Sequence, residues 1–79
     1  MTFTVYSKDN CPYCEKIQQL FNVLKLEHRI YKLGVDFTRD QFISEFGENS
    51  TFPRILLKNG ELIGGCTETI KYLREEKIL

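Results

Sequence analysis

Apolar and polar positions alternate loosely over Thr2-Phe-Thr-Val-Tyr-Ser7, where β-branched and aromatic side chains dominate, and the pattern predicts a strand. Lys8-Asp9-Asn10 follows as a polar loop. From Pro12 the period changes. Ile17, Leu20, Phe21 and Leu24 fall at i, i+3, i+4 and i+7, the buried face of a helix that starts at Cys11, with proline at the first helical position, where its missing N–H costs nothing. His28 to Leu33 reads as a second strand, ended by Gly34. Two strands joined by a helix are expected to pair in parallel through a right-handed crossover, with the helix on one face of the sheet.

Thr38-Arg-Asp-Gln41 carries the residues of a capping box, and Phe37 and Phe42 are placed for a hydrophobic staple, so a second helix is predicted to reach Phe46 and stop at Gly47. Arg54–Lys58 and Glu61–Ile63 flank Asn59-Gly60, a dipeptide suited to a two-residue hairpin turn. Beyond Gly64-Gly65 a last helix, from about Thr67 to Lys77, is expected to bury Ile70 and Leu73, with Ile78 or Leu79 packing at its end. The order β-α-β-α-β-β-α defines an α/β chain: a four-stranded mixed sheet with one parallel pair and one hairpin, flanked by helices.

At 79 residues the chain holds one core, and residues 1–79 are read as a single domain. A composition 42% hydrophobic and 28% charged excludes a disordered chain. The 11 basic residues match the 11 acidic ones, which argues against nucleic acid or an anionic membrane as the main partner. Ile55-Leu56-Leu57, the longest aliphatic run, is too short to span a membrane. The amino terminus shows neither a basic leader nor an apolar segment, so a cytoplasmic protein is expected. Cys11, Cys14 and Cys66 are too few and odd in number for the stapled framework of a small secreted domain, which points to reactive rather than structural sulfur.

Cys11-Pro12-Tyr13-Cys14 at the mouth of a β-α turn is the strongest chemical signal. Two intervening residues let the thiols meet, and the positive end of the helix favours a thiolate on Cys11, whose pKa is expected to fall from ~8.5 into the range ~3.5 to 7.5. Lys8 adds a nearby cation. Cys11 is thus the expected nucleophile, and Cys14, deeper and less charged, the resolving thiol. The alternative is half of a zinc site completed by Cys66 and His28. It lacks a second closely spaced ligand pair, and His28 falls inside a strand, so no metal site and no role for His28 are assigned.

Thr51-Phe52-Pro53 reads either as a simple strand start or as a cis Phe52-Pro53 turn that offers the Phe52 backbone to an extended peptide. Gly64-Gly65-Cys66-Thr67-Glu68 reads either as a glycine turn with Thr67 as cap or as a helix start that presents N–H groups to a carboxylate. Cys66 is left open as a bystander, a ligand-contacting backbone position or an oxidation-sensitive thiol.

Tyr6-Ser7-Lys8 before Cys11-Pro12-Tyr13-Cys14, then Thr51-Phe52-Pro53, then Gly64-Gly65-Cys66, all on this skeleton, resemble a glutaredoxin of the dithiol type across essentially the whole chain. Thioredoxin proper usually has tryptophan before its first active cysteine, and this chain has none. The resemblance implies a thioredoxin-like fold in which Cys11 attacks disulfides, with glutathione as co-substrate in a groove alongside and no tightly bound cofactor. It implies further that Lys8 and Tyr13 border the groove, that the Phe52 backbone pairs with the cysteinyl unit, that Cys66 with Thr67 receive the γ-glutamyl carboxylate, and that Thr51, Pro53 and Gly65 also contact glutathione. The implied partners are disulfide-containing or glutathionylated proteins, ribonucleotide reductase among them, met by a monomer. Phe52 is bulkier than the valine common in that motif, Glu68 stands where many relatives have aspartate, and Glu48-Asn49-Ser50 lacks the basic residue often found there, leaving Lys8, then Arg39, for the glycine carboxylate. Two other readings use the same cysteines: a redoxin reduced by thioredoxin reductase, and an iron-sulfur or other metal-binding module.

Overall fold

The computed structural model describes residues 2–79. Thr2–Ser7 forms β1, with Phe3, Val5 and Ser7 buried on one face and Thr2, Thr4 and Tyr6 half-buried on the other. Pro12–Val23 forms α1 and Glu27–Lys32 forms β2, which pairs with β1 in parallel from Thr2 opposite Glu27 to Ser7 opposite Lys32. The βαβ unit is the expected one, shifted by one residue in β2. Arg39–Phe46 is α2, Arg54–Leu56 is β3, Leu62–Gly64 is β4 and Cys66–Glu75 is α3. Both later strands pair antiparallel, giving one mixed sheet in the order β2-β1-β3-β4.

The alternation of β1 divides the interior in two. On one face Phe3, Val5 and Ile55 meet Ile17 and Phe21 of α1 and Cys66 and Leu73 of α3, and Leu20, Ile70 and Ile78 pack around this cluster. Phe3 and Phe21 stack with ring centroids 4.9 Å apart. On the other face Tyr6 meets Phe37, Phe42 and Phe46, so aromatic rings join α2 to β1.

The capping box of α2 forms as expected: Thr38 Oγ1 accepts from the Gln41 amide at 3.1 Å, and Gln41 Oε1 accepts from the Thr38 amide at 2.8 Å. Phe37 and Phe42 stack at 5.7 Å as the staple requires. The hairpin differs from expectation. Its strands stop at Leu56 and Leu62, and the Gly60 amide donates to the Leu57 carbonyl across Lys58-Asn59. Only Gly60 has positive φ, whereas a two-residue Asn-Gly turn needs it at both positions; Asn59 instead accepts the Glu61 amide through Oδ1. The last helix also starts one residue before Thr67 and ends at Glu75. Leu79 stays exposed at its end.

α1 and α3 close with the same device. After α1, Lys25 sits at φ 56°, its amide donating to the Asn22 carbonyl while the Leu26 amide reaches Phe21. After α3, Lys77 sits at φ 57°, its amide donating to Arg74 while the Ile78 amide reaches Leu73. These are Schellman caps with lysine where glycine is usual, and the apolar residue after each lysine packs onto the core. A left-handed non-glycine residue costs roughly 1–2 kcal/mol, against roughly 0.5–1 kcal/mol for the unfolded-state freedom of glycine. Lys25→Gly is therefore expected to stabilise the fold by about 0.5–1 kcal/mol and to raise Tm by about 4 °C in a thermal scan; a lowered Tm would contradict this account of the cap.

Candidate active site

The chain leaves β1 at Ser7, passes through Asn10 in a left-handed conformation (φ 54°) and turns into α1. Cys11 is the N-cap, in extended conformation, Pro12 the first helical residue and Cys14 the third. The Cys14 amide donates to Cys11 Sγ at 3.2 Å, so a sulfur does the capping work that a serine or aspartate oxygen usually does. The two sulfurs are bonded to each other, with Cα atoms 5.2 Å apart. Cys11 is 6% exposed and Cys14 1%, while Tyr13 between them is 62% exposed. Of the two, Cys11 is the less enclosed.

Beside the bridge, Tyr13, Thr51, Phe52, Pro53, Gly65 and Cys66, with Thr67, line a groove of about 310 Å³. Seven of the eight residues expected to bind a co-substrate thus come together, from three segments far apart in sequence. Lys8 is the eighth. It does not line the groove but stands over the Phe52 ring, its Nζ 5.6 Å from the centroid. The Phe52-Pro53 bond is cis and Pro53 is fully buried. Phe52 is pinned from behind by Phe42, stacked 4.3 Å away at 16°, and by Phe37 at 6.1 Å.

Glu68, absent from the expected set, is the eighth residue lining the groove. Its Oε1 accepts the Gly65 amide at 2.7 Å, the reach-back arm of a capping box, so Gly65 rather than Thr67 caps α3. A glutamate three residues after Gly65 was the available signal. Gly64 has φ 132°, and a Cβ there would come within 2.9 Å of the Glu68 side chain, so only glycine lets Glu68 fold back over the turn. The Gly65 carbonyl accepts both the amide and the hydroxyl of the buried Thr69, at 3.0 and 2.8 Å. Gly65 has no side chain to take the first N–H groups of α3, which are left for a ligand or water.

His28 lies across from Phe3 on β2, its ring packed near Phe21 and its Nδ1 2.8 Å from the Leu26 carbonyl. Among the described residues no three His, Cys, Asp or Glu side chains gather as a metal site would require. No helix among them is long and apolar enough to cross a membrane. Arg39 is exposed at the first turn of α2 and does not line the groove.

A family-wide sequence profile described as Glutaredoxin matches residues 3–63. Human mitochondrial glutaredoxin-2 is 31% identical over 78 residues, covering 95% of this chain and 47% of that protein, so the chain spans about half the length of this relative. Among solved structures, glutaredoxin 1 from Francisella tularensis, complexed with cacodylate, superposes with TM-score 0.77 at 25% identity, covering 98% of this chain and 95% of that one. A buckwheat glutaredoxin–glutathione complex superposes with TM-score 0.75 at 27% identity, covering 96% and 71%. The α/β fold is thus the thioredoxin-like one.

Cys66, the one free cysteine, is buried, and burial pushes its thiol pKa above the ordinary 9.0, helped by Glu68 and opposed by Lys16. The Tyr6 hydroxyl is likewise pushed above 10.0, by burial first and then by Glu45 and Tyr31. Both groups keep their protons in the folded chain at pH values where the unfolded chain has lost them. The stability they contribute is whole below about 9 and is lost as pH rises through the raised folded values. The urea midpoint of the oxidised protein should accordingly fall as pH rises from about 9, and Cys66→Ala should flatten the first part of that fall; a midpoint that held constant or rose would refute it.

Proposed function

The chain belongs to the glutaredoxin family, and on that footing we propose that it is a glutathione-dependent thiol–disulfide oxidoreductase, a single glutaredoxin domain over residues 1–79, in which Cys11 is the nucleophile and Cys14 the resolving thiol. The observation that carries the reading is the asymmetry of the pair: Cys11, the N-cap at the mouth of α1, is the less buried of the two, and Cys14, the third helical residue, is almost wholly sealed. The partial positive charge at the start of α1 and the Cys14 amide both favour negative charge on the Cys11 sulfur.

In the reduced enzyme the Cys11 thiolate attacks one sulfur of a substrate disulfide, forming a mixed disulfide and expelling the other sulfur as a thiolate that takes up a proton. Cys14 loses its proton and attacks the Cys11 sulfur, releasing the second substrate thiolate and leaving the Cys11–Cys14 bridge; two electrons have passed to the substrate. A glutathione thiolate then attacks Cys11 Sγ, and Cys14 departs as the leaving group. A second glutathione thiolate attacks the glutathione sulfur of that mixed disulfide, which yields glutathione disulfide and regenerates the Cys11 thiolate. A glutathionylated protein needs Cys11 alone, because its glutathione is transferred directly to that sulfur.

The groove supports glutathione as the reductant. The uncapped N–H groups of Cys66 and Thr67 suit the γ-glutamyl carboxylate, the Phe52 backbone suits the cysteinyl unit, and Lys8 on the lip suits the glycine carboxylate. The superposition on the buckwheat glutathione complex is consistent with that placement. Glutathione acts as co-substrate rather than resident cofactor. Proposed acceptors are disulfide-containing and glutathionylated proteins, ribonucleotide reductase among them, and the proposed setting is a monomer in the cytoplasm, where glutathione is held reduced.

Cys11→Ser should abolish both protein-disulfide reduction and removal of glutathione from proteins in a glutathione-coupled assay. Cys14→Ser should abolish the first and spare the second; equal loss of both reactions in the two variants would refute these roles. Turnover with thioredoxin reductase and none with glutathione would assign the electron source to the reductase instead. Lys8→Gln is expected to raise the KM for glutathione by about three- to tenfold with kcat held, as removal of a purely binding contact does.

A further inference from the structure

A hollow larger than the groove lies away from it, under α2, and shares none of its residues. It measures about 470 Å³, within the usual range for small-molecule sites. Its walls are four aromatic rings. Tyr6 faces Phe37 edge-on at 5.1 Å and lies tilted against Tyr31 at 5.7 Å, and Phe37 stacks on Phe42. Two carboxylates, Asp36 from the loop before α2 and Glu45 from its last turn, complete the lining with Gln41. No lysine, arginine or histidine lines it; Arg29 and Lys58 border a separate hollow around Thr2 and Thr4.

Both acids are poorly compensated by the protein itself. The one ion pair among the described residues joins Lys32 to Asp9 and involves neither. Asp36 takes the Lys32 amide through Oδ2 at 2.8 Å, which leaves its charge unneutralised. Glu45 sits at the negative end of the α2 dipole, in a last turn that holds no basic residue. Its field already acts on the hollow, since it helps to push up the Tyr6 hydroxyl.

We propose that this hollow is a binding site for a small aliphatic amine, whose ammonium group lies against the rings of Tyr6, Tyr31 and Phe37 and is neutralised by Asp36 and Glu45. An aromatic cage favours an alkylammonium ion over a compact inorganic cation, because the rings attract the charge while the chain buries apolar surface. Two carboxylates on separate segments suit a diamine better than a monoamine. A single lysine ammonium of a partner protein would leave one of the two carboxylates without a cation, which favours a free diamine.

The test is a titration of the oxidised protein with butane-1,4-diammonium chloride, followed by the aromatic ring signals in proton NMR, with sodium chloride at equal ionic strength and butane-1,4-diol as uncharged isostere. Saturable shifts of the Tyr6, Tyr31 and Phe37 rings are expected with the diamine and not with the diol or sodium. Glu45→Gln should weaken binding about three- to tenfold and Tyr31→Leu comparably, with disulfide reduction unchanged in Glu45→Gln, which confirms that the variant is folded. Equal shifts with the diol, shifts that never saturate, or full affinity in folded Glu45→Gln would each overturn the assignment. Tighter binding of Nα-acetyl-lysine amide would transfer the site to a protein partner and overturn it as well.

Discussion

A sulfur that caps a helix sets the terms for the rest of this structure. The first N–H groups of α1 need an acceptor, and the Cys14 amide finds it in Cys11 Sγ rather than in an oxygen. The atom that starts the helix is thereby the atom proposed as the nucleophile. Its position is fixed by β1, whose Phe3 and Val5 are fully buried against α1, and by the left-handed Asn10 that swings the chain from strand to helix. Anything that shifts α1 along the sheet moves the sulfur relative to the groove.

The groove shows how a small sheet brings distant segments to one place. Thr51-Phe52-Pro53 arrives just before β3, which pairs with β1, and Gly64-Gly65 leaves β4 to start α3, which packs with α1 on the same core. The strand order β2-β1-β3-β4 places β1 in the middle, so the cysteine pair and the Phe52 turn emerge on neighbouring strands.

Local chemistry made much of this legible in advance. The Cys-Pro helix start, the Thr38–Gln41 box and the Phe37–Phe42 staple each depend on residues within a few positions of one another, and each forms. Where two local solutions compete, the sequence reading went astray. Asn59-Gly60 suits a two-residue turn, yet Asn59 gains a bond to the Glu61 amide in the turn actually made. Thr67 is a good cap, yet Glu68 reaching back to Gly65 starts α3 earlier. Lysine carries no signal of a left-handed residue, so the caps at Lys25 and Lys77 were unreadable; the core contacts of Leu26 and Ile78 impose them. The aromatic cluster was visible only as the staple, because Tyr6, Phe46 and Phe52 join it from other parts of the chain.

The Phe42–Phe52 stack makes one ring serve as the wall of two compartments, the groove on one side and the packing under α2 on the other. Such a partition cannot be thinned from one side alone. A descendant that trims position 52 to admit a bulkier ligand uncovers a bare face on position 42, and recovers only by enlarging a side chain on that helix. The two sites are tied in their evolutionary histories, so aligned relatives with a small residue at the first should carry a compensating, larger one at or next to the second.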